Sequence, residues 1–189
     1  MSRMSKNPTV GVLIGNPRPF GRTTQIAREI ADQIAHAVAG SVERVVELGT
    51  HGPDVLDPDA VPVNGDVDAL RRLDLLVVAS PTYKATYTGL LKSFLDRYQT
   101  RGLQGVVAIP VMVGGAPQHS LAVEVHLRPL LVELGAVVPT HGLYVLDSEL
   151  EQLTETVRTW LGGAAHALRA CTGANQPPDS FPASEEAAR

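Results

Sequence analysis

Cysteine is almost absent from this chain, with Cys171 alone among 189 residues. A single thiol can form neither an internal disulfide nor a cysteine metal cluster. Long apolar runs are also missing, since none approaches the ~20 residues that a transmembrane helix needs. The N-terminal segment MSRMSKNP lacks the apolar core of a signal peptide. Together these absences predict a cytoplasmic protein without a membrane segment.

The chain has no surplus of positive charge either. Its 16 Lys and Arg residues are outnumbered by 20 Asp and Glu, which gives a net charge of −4 without a basic stripe. Nucleic acid is therefore not the predicted partner. Apolar residues make up 44% of the sequence, enough for one undivided core. We predict a single domain over residues 1–171, followed by a disordered tail over 172–189 that lacks a periodic apolar face.

Apolar runs and helical patterns alternate along the chain, and three of the runs are continuous, as in parallel strands buried on both faces. The predicted strands are Thr9–Gly15, Val42–Leu48, Leu75–Ser80, Val106–Val113 and Val137–Leu146. The predicted helices are Thr24–Ala39, a short turn near Val67–Arg72, Leu90–Tyr98, Ser120–Leu134 and Leu150–Ala170, with Gly49–Asp66 irregular. This order predicts an α/β fold: a doubly wound five-stranded parallel sheet of the flavodoxin type, with helices on both faces.

The segment TVGVLIGNPRPFGRTTQIAR predicts an anion site, because a strand passes through a short loop into a helix N-terminus. Arg18 and Arg22 lie in this loop, and the hydroxyls of Thr23 and Thr24 follow it. Five residues separate Gly15 from Gly21 and no Lys follows, so the loop is not that of a nucleoside triphosphatase. The dinucleotide fingerprint is absent too. A phosphate monoester such as that of FMN fits, and a plain connection with solvated arginines is the alternative.

Two further loops follow predicted strands at the same edge of the sheet. One contains Pro81, Thr82 and Tyr83, and the other contains Gly114 and Gly115. Taken alone, the first is equally an ordinary loop with a core-packing tyrosine, and the second is a tight turn. Because ligands of such sheets bind at the carboxyl ends of the strands, all three loops together favour one ligand that spans them.

Three segments resemble the NADPH-dependent FMN reductase family, in particular the reductases of alkanesulfonate-utilising two-component systems. They are GNPRPFGRTT, SPTYKATYTGLLKSFLD and PVMVGGAPQHSLAVEVHLRPLLVELGA, in this order, and the resemblance covers roughly Val10 to Asp147. It implies a flavodoxin-like fold and hydride transfer from NADPH or NADH to FMN. It also implies a homodimer or homotetramer, and a flavin-dependent monooxygenase as the partner that receives reduced flavin.

The resemblance also assigns residues to the flavin. It implies a phosphate held by Arg18, Arg22, Thr23 and Thr24, with Asn16 and Gly21 at positions where the family usually has serine. It implies that the isoalloxazine and ribityl chain lie against Pro81, Thr82, Tyr83 and Lys84. It implies that the pyrimidine end of the ring lies at Gly114, Gly115 and Ala116. Asn16 retains a donor for the phosphate.

Hydride transfer demands no protein nucleophile or general base, so we predict no catalytic residue, with Lys84 as a candidate for stabilising charge on the reduced ring. No metal site is predicted either, because the loop histidines His51, His119 and His141 lack spaced partners. Two alternatives stay open. One is a quinone, azo-dye or chromate reductase that retains FMN. The other is a flavodoxin-like electron carrier, although a net charge of −4 and 4% aromatic residues are low for a carrier.

Overall fold

The computed structural model of the chain describes residues 7–173. Its sheet has five parallel strands in the order β2-β1-β3-β4-β5. The strands are β1 (Thr9–Ile14), β2 (Ser41–Glu47), β3 (Leu75–Pro81), β4 (Val107–Gly114) and β5 (Leu143–Leu146). This arrangement confirms the predicted flavodoxin-like, doubly wound fold. The direction of winding reverses between β1 and β3, which is where ligands bind to sheets of this kind.

Helices cover both faces of the sheet and form two apolar cores. The helices are α1 (Arg22–Ala37), α2 (Leu48–His51), α3 (Val61–Leu70), α4 (Gly89–Leu95), α5 (Arg128–Glu133) and α6 (Leu153–Thr172). One face packs against α1 and α6, and the other packs against α3, α4 and α5. In β1, Val12 and Ile14 enter the first core and Leu13 the second. Burial on both faces explains why the central strands are continuous apolar runs.

The prediction that Gly49–Asp66 is irregular was wrong. The segment contains most of α2, a 3-10 helix over Gly52–Leu56 and the first half of α3. Its three prolines favour an irregular connection, but Pro62 lies in the first turn of α3. At that position the N–H that proline lacks has no intrahelical partner to lose.

The last strand is shorter than predicted, because only Leu143–Leu146 pairs with β4. Val137 contributes one isolated bridge to Val107. Between them, the Arg128 guanidinium donates to the carbonyls of Val138 and Thr140, which removes both acceptors from any strand pairing. A half-buried arginine contact of this kind leaves no periodic signal in the sequence.

The predicted helix Ser120–Leu134 is divided in the structure. A π-helical turn covers Val123–Leu127, and α5 follows it from Arg128. Pro129 explains the division, because its ring lacks an N–H and clashes with the carbonyl four residues before it. The wider π turn immediately upstream relieves that clash, and such turns are frequent at functional sites. His126 lies exposed within this turn.

At the C-terminus, α6 extends to Thr172, and Gly173 ends it in the left-handed conformation with a φ of 71°. The helix therefore includes the first residue of the predicted tail, and residues 174–189 lie outside the described part of the chain. Within residues 7–173, no helix is both long and apolar enough to cross a membrane. No group of three or more potential metal ligands occurs in the same range.

Candidate functional site

The loop after β1 is shaped by Asn16. The side-chain carbonyl of Asn16 accepts a hydrogen bond from the Arg18 backbone N–H at 3.0 Å. The amide of the same side chain donates to the Thr23 hydroxyl at 3.4 Å. A side-chain turn of this kind mimics a backbone turn. Asn16, which is predicted to contact the phosphate, therefore holds the shape of the loop in which it lies.

The N-terminus of α1 lies open at the end of this loop. Gly21 is its N-cap residue, no side chain of the described residues caps the helix, and no acidic residue lies in the first turn. The first N–H groups of a helix lack intrahelical partners and carry positive potential. Arg18 and Arg22 are exposed, and neither forms an ion pair within the described residues. The combination fits an anion, and a phosphate in particular.

The end of β2 and the start of α2 pack against this loop. A Cβ atom at Gly49 would lie 2.7 Å from the Asn16 carbonyl oxygen and 2.9 Å from that of Pro17, so only glycine allows this contact. Glu47 accepts hydrogen bonds from the Phe20 backbone N–H at 2.7 Å and from the Thr24 hydroxyl at 3.1 Å. The predicted phosphate ligand Thr24 therefore already has a partner, while the hydroxyl of Thr23 accepts from Asn16.

The loop after β3 contains a two-residue hairpin. Tyr83 and Thr86 exchange backbone hydrogen bonds of 2.8 and 3.2 Å, and the two residues between them, Lys84 and Ala85, have φ values of 52° and 67°. This turn type suits the twist of a hairpin but normally uses Asn and Gly, so its backbone is strained. The Tyr83 side chain is 46% exposed. A core-packing tyrosine is thereby excluded, and its ring is free to contact a ligand.

Thr82 joins this loop to the loop after β4. Its backbone N–H donates to the Val113 carbonyl at 2.7 Å, while its hydroxyl oxygen is buried and has no hydrogen-bond partner among residues 7–173. A buried hydroxyl without a partner costs free energy, and a polar ligand atom at this edge would remove that cost. Pro81 ends β3 and directs the chain out of the sheet.

The two glycines of the third loop have different roles. A Cβ atom at Gly114 would lie 2.1 Å from the Tyr144 hydroxyl, so this glycine makes room for a neighbouring side chain. At Gly115 the nearest atom would be an Asp147 carboxylate oxygen at 4.0 Å, which leaves that backbone open to a ligand. The carbonyl of Ala116 accepts a hydrogen bond from Tyr144 at 2.8 Å.

Sequence reasoning missed the residues that brace the loops. Tyr144 is one of them. The only sequence signal for it is an aromatic residue in the strand next to the one that ends at the paired glycines, and the structure shows this residue to be half-buried. Thr88 is another, because its hydroxyl donates to the Gly15 carbonyl and also caps α4 through the Leu91 N–H. Thr88 therefore ties the first loop to the second, as Thr82 ties the second to the third.

All twelve predicted site residues lie at the carboxyl edge of the sheet, in three loops linked by hydrogen bonds or in the helix and strand ends that adjoin them. They are Asn16, Arg18, Arg22, Thr23, Thr24, Pro81, Thr82, Tyr83, Lys84, Gly114, Gly115 and Ala116. Two cavities lie elsewhere. One, of about 690 Å³, is lined at the opposite edge by residues that include Arg71, Arg72 and Arg101. The other, of about 300 Å³, lies between α6 and the chain that precedes β5.

Known proteins resemble this chain in sequence and in fold. A family model described as NADPH-dependent FMN reductase matches residues 8–151. The FMN reductase (NADPH) of Escherichia coli K12 is 43% identical over 83 residues, which are 44% of each chain. The NADH-dependent FMN reductase SfnF of Pseudomonas putida is 31% identical over 120 residues, 64% of this chain and 58% of SfnF. The match thus spans about half the length of these two relatives.

Among solved structures, the apo form of an NADH:FMN oxidoreductase, EMOB, superposes with a TM-score of 0.75 at 30% identity. The superposition covers 93% of this chain and 92% of EMOB. The resemblance in fold therefore extends over most of this chain and most of EMOB.

Proposed function

The chain belongs to the NADPH-dependent FMN reductase family, and we propose that it transfers a hydride from NADPH or NADH to FMN. The observation that carries this proposal is the open N-terminus of α1 beside Arg18 and Arg22, at the point where the sheet reverses its winding. The names of its relatives support the reaction, since one uses NADPH and another NADH.

The residues of the three loops fit FMN in chemical character. The first-turn N–H groups of α1 and the two loop arginines suit a phosphate. The exposed Tyr83 ring suits a flat heterocycle, and the partnerless Thr82 hydroxyl and the open backbone at Gly115 suit its polar edge. FMN, when bound, accepts the hydride on its ring system, and the protein contributes position and electrostatics.

Lys84 is the residue we assign to charge stabilisation. It lies exposed at the tip of the hairpin, next to Tyr83, and forms no ion pair within residues 7–173. An ammonium group that is free of carboxylates is available to stabilise the negative charge that the ring gains on reduction. We assign no nucleophile and no general base.

We further propose that reduced FMN leaves the protein for a flavin-dependent monooxygenase, as the resemblance of the three segments implies. An oligomer, either a dimer or a tetramer, belongs to the same proposal. Its support is three exposed apolar side chains on the segment that follows the third loop, Leu121, Val125 and Val132, which are 69%, 56% and 53% exposed. Leu121 and Val125 are one helical turn apart, and grouped exposed apolar side chains mark interaction surfaces. Sedimentation velocity of wild type and of V125D tests this assembly.

The reaction is tested by oxidation of NADPH and of NADH by the purified chain, with and without added FMN. We expect turnover that requires added FMN and saturates with it. Turnover by retained FMN with a quinone or azo dye as acceptor would instead favour the retaining reductase. Bound FMN that no nicotinamide reduces would favour an electron carrier. Absence of both binding and turnover would contradict the proposal.

A further inference from the structure

Glu47 is a buried carboxylate in contact with the loop that we assign to the phosphate. It is the last residue of β2, where it pairs in register with Ile14 at the end of β1. Only 7% of the residue is exposed. One of its carboxylate oxygens, Oε2, accepts from the Phe20 N–H and the Thr24 hydroxyl. The other, Oε1, is buried without a hydrogen-bond partner among the described residues.

The contact to Phe20 holds a strained part of the loop. Phe20 has a φ of 58°, in the left-handed region that non-glycine residues rarely adopt. The residue is 74% exposed, so packing contributes little to holding it. The hydrogen bond from its N–H to Glu47 is thus the contact that supports this conformation, and such strain persists only where neighbouring contacts enforce it.

For this supporting role a neutral acceptor would suffice, so the negative charge of Glu47 calls for a separate explanation. The carboxylate forms no ion pair within the described residues. Its orphaned oxygen is costly to bury. The charge lies against Phe20, one residue before the N-cap Gly21 of α1. A phosphate at that helix N-terminus would lie close to a like charge, and because Glu47 is buried, water screens this charge less than it screens a surface carboxylate.

We propose that Glu47 sets the affinity of this loop for the phosphate of FMN. Its oxygen holds the loop in shape, and its charge weakens phosphate binding so that FMN exchanges as a substrate rather than staying as a bound group. This inference rests on the proposed function. The hydrogen bond from the Thr24 hydroxyl to Glu47 fits this role, because the carboxylate accepts hydrogen bonds from two donors that a phosphate could otherwise use.

The test compares FMN with riboflavin, which has the same ring but no phosphate. In E47Q the amide oxygen still accepts from Phe20 and Thr24, and the charge is gone. We expect E47Q to lower the Kd for FMN by about tenfold, equivalent to about 1.4 kcal/mol, and to leave the Kd for riboflavin unchanged. Equilibrium dialysis of both flavins gives the two values. E43Q is the matched control, because Glu43 is exposed on the same strand, and we expect it to change neither Kd.

Each other outcome overturns the inference. An equal Kd for FMN in wild type and E47Q would show that the charge has no effect. Weaker FMN binding by E47Q would show that Glu47 only supports the loop, and an equal gain for riboflavin would show that the effect does not involve the phosphate. Should E47Q fail to fold, E47N is a second neutral variant, expected to change the FMN-to-riboflavin ratio in the same direction.

The proposed function can be judged separately in the same experiment. If wild type binds and reduces FMN while E47Q leaves its Kd unchanged, the role of Glu47 fails and the proposed function stands. If wild type binds neither flavin, both fail together.

Discussion

The Tyr144 hydroxyl donates a 2.8 Å hydrogen bond to the Ala116 carbonyl. A Cβ atom at Gly114 would lie 2.1 Å from that same hydroxyl. One side chain from β5 therefore holds the third loop in place, and the loop in turn requires glycine at the position where the tyrosine crosses it. Two adjacent glycines would by themselves indicate a turn. The contacts with Tyr144 show that this stretch of backbone is also held in place.

Removal of the Tyr144 hydroxyl is expected to loosen the loop without removing its core packing. We predict that Y144F loses about 0.5–1.5 kcal/mol of stability, the usual net contribution of one hydrogen bond, and binds FMN several-fold more weakly. Urea unfolding and equilibrium dialysis measure the two effects. Y98F is the matched control, because the Tyr98 hydroxyl bonds to the Val67 carbonyl away from the site. An equal loss of FMN affinity in both variants would contradict a specific role for Tyr144.

The two glycines are expected to respond differently to alanine. G114A should lower stability by about 1–3 kcal/mol, as overpacking does, because the new Cβ displaces Tyr144 and breaks its bond to Ala116. G115A should keep wild-type stability, since the nearest neighbour of its Cβ would be an Asp147 carboxylate oxygen at 4.0 Å, but should weaken FMN binding. Comparison of unfolding midpoints with FMN Kd values separates the two effects. Equal stability of both variants would show that Tyr144 moves aside freely.

Prediction from sequence succeeded where one local signal was sufficient. Continuous apolar runs predicted the buried parallel strands, and the strand, loop and helix around Gly15–Thr24 occur in the predicted order. That this loop binds an anion stays a prediction. The fold could not be predicted where proline had two possible meanings: Pro62 begins a helix, whereas Pro129 divides one. The bracing residues Glu47, Thr88 and Tyr144 could not be predicted either. Their partners lie far away along the chain, and only the folded sheet brings them together.

The loop arginines are expected to act on the phosphate alone. We predict that R22Q raises the Kd for FMN roughly ten- to hundredfold, because a hydrogen bond to a charged group contributes about 1.5–3 kcal/mol. Riboflavin binding should not change, and added salt should weaken FMN binding less in R22Q than in wild type. R28Q is the control, since Arg28 is exposed further along α1. A parallel loss of riboflavin binding would show that Arg22 supports the ring or the fold instead.

Burial raises the pKa of the Tyr98 hydroxyl above its ordinary value of about 10. The folded protein therefore keeps this proton at an alkaline pH where the unfolded chain releases it. Its contribution to stability is fully present below a pH of about 10 and falls as the pH rises further. We predict that the urea midpoint of wild type declines more steeply than that of Y98F above this pH. Parallel declines would contradict the assignment to Tyr98.

The central claim is that FMN binds across the three loops at the carboxyl edge of the sheet, and a crystal structure of the chain soaked with FMN tests it most directly. We predict the phosphate at the N-terminus of α1 beside Arg22, and the ring between Tyr83 and the backbone of Gly115. FMN bound instead in the arginine-lined cavity at the opposite edge, near Arg71 and Arg101, would contradict this account.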